Sequence, residues 1–243
     1  MKILIIGTQF DVELSAIVDA IKGKNSVVSS NLCTFYQGAY ASKQITVCHC
    51  PMGTVASAAA LTLAVEKYQP DLILNVGLAS GYLHMHKGEI VVGLSIINTS
   101  SMITDKKKHG AGSNPTAWKL VNYVYGEREK LVEQKANAKA VQSFKNFAFF
   151  NSIKNVNYGV IGSGDMLNRE YDRIEFLADN YNILCEDMEG ISTYYVANSY
   201  KIPALDIRII SRNESMDEEN ERDSGKNLQI IILQFIEYLK AAL

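Results

Sequence analysis

Residues Ile183–Asn213 have the sequence ILCEDMEGISTYYVANSYKIPALDIRIISRN, and this stretch decides the fold. A short apolar run leads into an acidic segment, Asp187–Glu189, and then into patterns that predict a helix over Gly190–Tyr200 and a buried strand over Ala204–Ile210. The strand ends in the polar residues Ser211–Asn213, and open α/β sheets bind ligands beyond such strand ends. Because an ionised carboxylate has only acceptors and can bind two neighbouring hydroxyls at once, the stretch predicts a site for a polyol.

The rest of the chain alternates between short apolar runs and helical patterns. Strands are predicted at Lys2–Ile6, Cys33–Tyr40, Gln44–Cys50, Leu72–Val76, Glu89–Ile97 and Asn157–Ile161. Helices are predicted at Asp11–Lys22, where Asp11 would be the cap, at Thr54–Tyr68, at Asn168–Asp179, where Asn168 would be the cap, and at Asn227–Leu243. This alternation predicts a single α/β domain over residues 1–243, with a central mixed, mostly parallel sheet flanked by helices.

Two polar stretches have less regular patterns. Lys106–Pro115 is polar and contains glycine, which predicts a loop, whereas Thr116–Tyr125 and Glu127–Phe144 favour helices. The aromatic run Phe147–Phe150 requires burial, and a contact between subunits could supply it. Met216–Lys226 is acidic and polar, so it is predicted to be a loop at the edge of the site.

The composition excludes several classes of function. A hydrophobic content of 47% and a charged content of 21% in 243 residues are typical of a globular protein with one full core. The net charge of −2 gives no reason to expect a nucleic acid or an anionic membrane surface as a partner. No apolar run is long enough to span a bilayer, so we expect no membrane partner.

The four cysteines, Cys33, Cys48, Cys50 and Cys185, lie in apolar surroundings, which indicates reduced thiols in a cytoplasmic protein. The sequence Cys48-His49-Cys50 contains three residues of the types that bind metal ions. Strand alternation, however, places its two cysteines on one face of the sheet, and no second pair of ligands stands nearby. We therefore expect no metal.

Several short motifs occur in a fixed order along the chain: Met1–Gly7, Met52–Thr54, Asn75–Gly81, Lys87–Val92, Gly162–Asp165, Asp187–Glu189 and the Arg-x-x-Ser segment Arg208–Ser211. In order and spacing they resemble the nucleoside phosphorylase superfamily, and within it the methylthioadenosine/S-adenosylhomocysteine nucleosidases. The likeness spans most of the chain and is weakest at residues 105–155. It implies a three-layer α/β/α fold, cleavage of the N-ribosyl bond of a purine nucleoside, a homodimer and no cofactor.

The resemblance also assigns roles to three residues. Glu189 matches the glutamate that holds the 2′ and 3′ hydroxyls of the ribose and stabilises its developing positive charge, and Met188 would pack on the sugar. Glu13 matches the glutamate that activates water, provided that the turn Gly7–Asp11 carries one extra residue. From the pattern alone, Glu13 would be a solvated glutamate favoured by the helix dipole.

The residue that would face the leaving base departs from the nucleosidase pattern. The nucleosidases have an aspartate directly after the serine, whereas Ser211 is followed here by Arg212 and then Asn213. An arginine cannot act as a general acid at neutral pH. Three alternatives follow. Asn213 enters the pocket and binds a 6-oxopurine, Arg212 enters it and meets an anionic ligand, or neither enters and catalytic power is reduced or lost.

Other positions on the substrate side are also altered. Asp187 replaces the first glutamate of Glu-Met-Glu, Leu78 replaces a serine, and Leu167 and Asn168 replace an aromatic and an aliphatic residue around the base. The segment Ala79–Gly81 completes a glycine-rich turn at which a ligand can approach the backbone closely.

The choice between water and phosphate as the nucleophile rests on the arginines. Phosphate sites usually contain arginines or a nest of backbone amides, but residues 1–127 contain no arginine. Arg208 fits a structural ion pair at least as well as an anion site. The sequence therefore favours hydrolysis, with a phosphate-dependent phosphorylase and a non-catalytic nucleoside-binding protein as alternatives.

Overall fold

A ten-stranded mixed sheet forms the centre of the computed structural model, as the alternating elements predict. Residues 1–104, 106–115, 118–124, 127–130, 133–213 and 218–239 are described, those at 22–26, 122–124, 127–130 and 218–220 by their backbone only. The strands are β1 (Lys2–Gly7), β2 (Lys22–Ser29), β3 (Thr34–Tyr40), β4 (Lys43–His49), β5 (Leu72–Gly81), β6 (Ile90–Asn98), β7 (Met102–Ile103), β8 (Lys119–Leu120), β9 (Asn122–Val124), β10 (Glu127–Lys130), β11 (Glu133–Lys135), β12 (Val156–Ser163), β13 (Ile183–Asp187) and β14 (Ala204–Arg212). The helices are α1 (Ser15–Ala20), α2 (Thr54–Tyr68), α3 (Ala138–Phe150), α4 (Tyr171–Tyr181), α5 (Gly190–Tyr200) and α6 (Glu218–Tyr238), and a π-helical turn, Phe10–Leu14, precedes α1.

Most strand pairs in the middle of the sheet are parallel, but β13 pairs antiparallel with β5 and β14 pairs antiparallel with β6. The central strands β1 and β5 are buried along nearly their whole length, as is usual for parallel strands. Strand β1 lies between β4 and β5, and β14 lies on the other side of β5, all in parallel. Strand β12 pairs in parallel with both β6 and β13. Antiparallel pairing adds the strands β2 and β3 beside β4 and the strand β11 beside β6. Consequently the carboxyl ends of β1, β5 and β14 meet at one edge of the sheet.

Helices cover both faces of the sheet and confirm the three-layer α/β/α architecture. One core includes Ile17 of α1, Phe144 of α3 and Phe235 of α6. The core on the opposite face includes Leu61 of α2 and Tyr194 of α5. Across the described ranges, no helix combines the length and the apolar character needed to cross a bilayer.

The middle of the chain differs from the prediction. Short strands occupy 119–120, 122–124, 127–130 and 133–135, so the helices expected over 116–125 and 127–144 are wrong there; residues 116–117, 125–126 and 131–132 lie outside the described part. Helix α3 begins only after Asn137, whose side chain accepts hydrogen bonds from the N–H groups of Lys139 and Ala140. Of the aromatic run, Phe147 is buried, whereas Phe149 and Phe150 are exposed.

Four element boundaries near the site also differ from the bounds predicted from the sequence. The expected cap Asp11 lies inside the π-helical turn, and α1 ends at Ala20. Strand β5 continues through the expected turn to Gly81, because β13 and β14 pair with its last residues. Asn168 does not cap α4, which begins at Tyr171. Helix α6 begins at residue 218, so the loop expected over 216–226 is wrong from there on, and residues 214–217 and 240–243 are not described.

Candidate active site

Backbone amides hold Glu13 at the carboxyl end of β1. Its Oε2 accepts hydrogen bonds from the N–H groups of Thr8 at 2.8 Å and Gln9 at 2.9 Å, and its Oε1 accepts one from the N–H of Leu78 at 3.0 Å. The side chain is 3% exposed, so it is not the solvated glutamate that the pattern alone would give. The π-helical turn makes this placement possible, and single π-helical turns are frequent at functional sites.

Asp187 and Glu189 lie at the junction between β13 and α5. Asp187 Oδ1 accepts hydrogen bonds from the N–H groups of Glu189 at 3.2 Å and Gly190 at 3.0 Å, which satisfies two free amides at the start of α5. Glu189 is buried, and its Oε1 accepts a hydrogen bond from the N–H of Gly53 at 3.2 Å, just before α2. Met188, between the two acids, is half-buried. The junction therefore fixes the backbone from which Glu189 projects.

The Arg208 guanidinium joins these acids to a third, Asp206. Its nitrogens lie 2.7 Å from Asp187 Oδ2, 2.6 Å from Asp206 Oδ1 and 3.5 Å from Glu189 Oε2. Asp206 also accepts a hydrogen bond from the side chain of Asn75 at 2.9 Å. Because the guanidinium is fully buried and bound on three sides, Arg208 is a structural ion-pair partner, one of the two roles that the sequence allowed.

Gly77 of β5 leaves the space in which Glu13 and Arg208 come together. A Cβ atom at this position would lie 2.5 Å from Glu13 Oε1 and 2.6 Å from Arg208 Nη1. Gly190 has a similar role, since a Cβ atom there would clash with the carboxylates of Asp187 and Asp206. The glycines thus allow four acids and one arginine to share a small volume.

The electrostatic balance of this cluster is negative. Burial raises the pKa of Glu189 to about 7; Arg208 opposes this shift, and Asp187 and Glu13 add to it. Burial is also the main cause that raises the pKa of Asp206 to about 8. Groups with pKa values displaced toward neutrality are common at functional sites. With one arginine among four acids, the cluster is short of positive charge, which favours a ligand that donates hydrogen bonds or develops positive charge.

A cavity of about 910 Å³ lies beyond the end of β5. Its walls come from the end of β5, from the segment before α4, from α4 itself and from the end of β14, and they include Gly81, Leu167, Asn168, Arg212 and Asn213. The volume is in the range typical of sites for small organic molecules.

Arg212 and Asn213 both line this cavity, but each is already engaged. Arg212 Nε donates a hydrogen bond to Glu221 Oε1 of α6 at 2.7 Å. Asn213 Nδ2 donates to the backbone carbonyls of Met85 at 2.7 Å and Leu83 at 3.4 Å. Since the amide nitrogen of Asn213 faces these carbonyls, its Oδ1 is the polar atom that remains for a ligand.

Ser211 and Ala79 are not among the residues that line this cavity. Strand β14 has an irregularity at Ser211, because Ile210 pairs with Ala79 while Arg212 pairs with Ser80. Ser211 and Ala79 are both buried. A bulge of this kind redirects the residues that follow it, here Arg212 and Asn213.

Three residues near the site were missed by the sequence analysis. Asp206 completes the binding of Arg208, and a charged pair two positions apart in an apolar strand was the available signal. Glu186 and Tyr82 form a buried hydrogen bond of 2.6 Å beside the cavity. Glu186 directly precedes the acidic motif and could have been noted as a third acid, but Tyr82 had no distinguishing pattern.

The cysteine segment carries no metal-binding arrangement. Cys33, Cys48, Cys50 and Cys185 are buried free thiols. Over the described residues, histidine, cysteine, aspartate and glutamate side chains form no group of three or more that could hold a metal ion.

Comparison with known proteins gives matches over nearly the whole chain. The family model described as the phosphorylase superfamily matches residues 2–237. The 5′-methylthioadenosine/S-adenosylhomocysteine nucleosidase of Bacillus licheniformis is 25% identical over 240 residues, which cover 98% of this chain and 92% of that protein. The enzyme of the same name from Shewanella sp. is 25% identical over 250 residues, which cover 99% of this chain and 100% of that protein.

Solved structures match the fold closely at low sequence identity. The Neisseria meningitidis nucleosidase of that name, in complex with methylthio-immucillin-A, superimposes with a TM-score of 0.78 at 17% identity, covering 98% of this chain and 99% of that one. A futalosine hydrolase mutant of Helicobacter pylori gives a TM-score of 0.81 at 20% identity, covering 98% of this chain and 100% of that one. Both structures have the three-layer architecture described above.

Proposed function

Because the chain belongs to the phosphorylase superfamily, we propose that it is a nucleosidase that hydrolyses the N-glycosidic bond of a purine nucleoside of the 5′-methylthioadenosine/S-adenosylhomocysteine type. One observation carries the proposal. Glu13 and Glu189, which are far apart in the chain, are both buried and both approach the Arg208 guanidinium, Glu13 across Gly77. Such a pair provides one carboxylate for the sugar and one for the attacking water.

Glu189 binds the ribose in this proposal. An ionised carboxylate accepts hydrogen bonds from the 2′ and 3′ hydroxyls, and it stabilises the positive charge that the ribosyl group acquires as the bond breaks. Arg208 and the N–H of Gly53 already fix the orientation of Glu189. Met188, half-buried beside it, packs against the sugar.

Glu13 activates the water. Its carboxyl group takes the proton from water, and three backbone amides donate hydrogen bonds to it. They also fix the position of the carboxylate, which a general base requires for a well-oriented attack.

The same contacts support water over phosphate as the nucleophile. The amides of Thr8 and Gln9, which could form an anion nest, already donate to Glu13. The guanidinium of Arg208 is buried and bound to Asp187, Asp206 and Glu189, which leaves it unable to hold a phosphate.

The base lies in the cavity beside Asn213. Because the Asn213 amide nitrogen is bound to backbone carbonyls, its Oδ1 accepts a hydrogen bond from the ligand, which favours a 6-aminopurine over the 6-oxopurine considered from the sequence. Arg212 is turned to Glu221 and does not replace the missing aspartate. We expect water in the open cavity to protonate the leaving base, at a lower rate than an aspartate would allow.

The decisive experiment measures release of the free base by chromatography. The substrates are methylthioadenosine, S-adenosylhomocysteine, adenosine, inosine and guanosine, each with and without phosphate. We expect adenine to be released from the two thio-adenosines in the absence of phosphate.

Other results identify the alternatives. Release that strictly requires phosphate would make the protein a phosphorylase. Release from 6-oxopurines alone would contradict the orientation of Asn213. Binding of nucleosides with no release from any of them would indicate a non-catalytic nucleoside-binding protein.

A further inference from the structure

Glu186, Tyr82 and Asn168 form a buried hydrogen-bonded cluster against the wall of the cavity. Glu186 Oε1 accepts a hydrogen bond from the backbone N–H of Asn168 at 2.7 Å. Glu186 Oε2 accepts hydrogen bonds from the Tyr82 hydroxyl and from Asn168 Nδ2, both at 2.6 Å. Asn168 Nδ2 lies also 3.4 Å from the Tyr82 hydroxyl oxygen. Glu186 therefore binds both the main chain and the side chain of Asn168.

Burial sets the character of this cluster. Glu186 is 4% exposed, and the Tyr82 hydroxyl and the two amide N–H groups of Asn168 donate hydrogen bonds to it. The Arg173 guanidinium also interacts with Glu186 electrostatically. Burial is the main cause that raises the pKa of Glu186. Burying a carboxylate is costly, and such a group next to a cavity suggests a role in function.

The role follows from the orientation of the Asn168 carboxamide. A carboxylate can only accept hydrogen bonds, so the atom of Asn168 that faces Glu186 must be the nitrogen. The Oδ1 atom then points away from Glu186, and in the described structure it accepts no hydrogen bond from protein. Asn168 is more than nine-tenths buried and lines the cavity, so the cavity is where this acceptor can find a donor.

We propose that Asn168 is a specificity-determining residue of the base site, and that Glu186 and Tyr82 are positioning residues that keep its carbonyl oxygen toward the ligand. The inference deepens the proposed function and rests on it, since it assumes that the cavity receives a nucleobase. Asn168 and Asn213 then present the same kind of atom, a carbonyl oxygen, to the ligand. Both have their amide nitrogen bound to protein and their carbonyl oxygen left over, so the cavity offers two acceptors.

Two acceptors select a base that donates. The exocyclic amino group of a 6-aminopurine supplies two N–H donors. A 6-oxopurine would instead turn its O6 atom, an acceptor, toward oxygen atoms, and a buried polar atom without a partner weakens binding. Asn168 thus disfavours oxopurines, which the sequence alone had left open.

The test compares the ratio of kcat/KM for adenosine to that for inosine in the full-length protein and in Glu186→Gln. A glutamine has both a donor and an acceptor, so Asn168 can turn over and present its amide nitrogen to the cavity. We expect the ratio to fall about tenfold, the size of one lost hydrogen bond in a buried site. Glu170→Gln is the matched control, because Glu170 is an exposed acid two positions after Asn168 and makes no side-chain cap.

A second measurement does not depend on turnover, and its first part needs only the wild-type protein. Calorimetry with the wild-type protein compares adenine with purine, which lacks only the amino group, and we expect adenine to bind about tenfold more tightly. The same comparison is repeated in Tyr82→Phe, which removes a single hydroxyl, and there we expect a smaller preference for adenine.

The outcomes separate this inference from the proposed function. Preferential binding of adenine that Glu186→Gln weakens would support the inference even if no nucleoside is cleaved. An unchanged ratio in both Glu186→Gln and Asn168→Ala, with both folded and active, would overturn it while leaving the nucleosidase proposal intact. Equal affinity of the wild-type protein for adenine and purine would overturn it as well.

Discussion

At the scale of single residues, Glu13→Gln would keep the shape of the side chain but remove the group that accepts a proton. We expect kcat to fall by about two to four orders of magnitude, because an amide cannot accept the proton of water. We also expect a loss of unfolding free energy of about 1–3 kcal/mol, since an amide nitrogen would face at least one backbone N–H where Glu13 now accepts from Thr8, Gln9 and Leu78. Base-release kinetics and urea unfolding measure the two effects separately.

The control for that change is Asp11→Asn. Asp11 is an exposed acid in the same π-helical turn. If Asp11→Asn and Glu13→Gln had equal, small effects on kcat, Glu13 would not be the base. An unchanged affinity of Glu13→Gln for a nucleoside would place the loss in the chemical step.

Single residues of the site could be predicted from the sequence only where a motif marked them. Glu189 followed from its motif, whereas the burial of Glu13 needed the π-helical turn, which no sequence pattern indicated. The orientation of Asn213 depended on the carbonyls of Leu83 and Met85, which approach it only in the folded chain. Long-range contacts of this kind have no local signature.

At the scale of elements, strongly patterned segments were predicted well. Helices α2 and α5 have the bounds that were expected, because alanine-rich and small-residue runs flanked by clear breaks leave little choice. The prediction for the segment before α3 was wrong because its strands are only two to four residues long, which is too short for periodicity to separate strand from helix. There, pairing with a neighbouring strand decides the conformation.

Helix α6 supports the π-helical turn that carries Glu13, which gives a second prediction. Gln229 is buried; its Oε1 accepts a hydrogen bond from the N–H of Ala16 at 2.7 Å, and its Nε2 donates to the carbonyl of Val12 at 2.6 Å. Gln229→Leu would leave both backbone groups unsatisfied. We expect it to lower the unfolding free energy by about 1–3 kcal/mol and to reduce kcat, because the turn that carries Glu13 would shift.

Gln234→Leu, on the exposed face of the same helix, is the matched control. It should leave both kcat and the urea midpoint nearly unchanged, since surface substitutions have small effects. Equal behaviour of Gln229→Leu and Gln234→Leu would mean that α6 does not hold the turn.

At the scale of the whole molecule, we propose a homodimer formed through the face that carries Val55 and Tyr195. Val55 is 81% exposed and Tyr195 is 62% exposed. They belong to two helices that meet, because Ser192, one turn before Tyr195, donates a hydrogen bond to the carbonyl of Thr54, the residue before Val55. Exposed apolar groups that cluster in this way often mark an interface. We expect Val55→Asp to convert a dimer into a monomer in light scattering.

Phe149→Asp tests a second exposed apolar site. Phe149 and Phe150 contact each other at the end of α3 and are also largely exposed. If Phe149→Asp gave the monomer and Val55→Asp did not, the interface would lie at α3. A wild-type protein that is monomeric at all concentrations would exclude the dimer itself.

The stability of the whole protein should depend on pH through the acids of the buried cluster. Folding raises the pKa of Asp206 from 3.8 to about 8 and that of Glu189 from 4.5 to about 7, with burial as the main cause of both shifts. Between these values the folded state holds more protons than the unfolded state. The stability contributed by these groups is therefore fully present below about pH 4, declines as the pH rises, and has no further loss above about pH 8.

Urea unfolding at about pH 5.5, 7 and 8.5 measures this decline as a falling unfolding free energy. Asp206→Asn should flatten the dependence, because it removes the group with the larger shift, whereas Asp11→Asn, an exposed acid, should not. An unfolding free energy that stays level over the same range would mean that Arg208 keeps Asp206 and Glu189 ionised in the folded state, because folding would then neither take up nor release protons at these groups. In that case Glu189 would accept hydrogen bonds from the ribose hydroxyls equally well at all these pH values. The affinity for a nucleoside would then show no rise through pH 7.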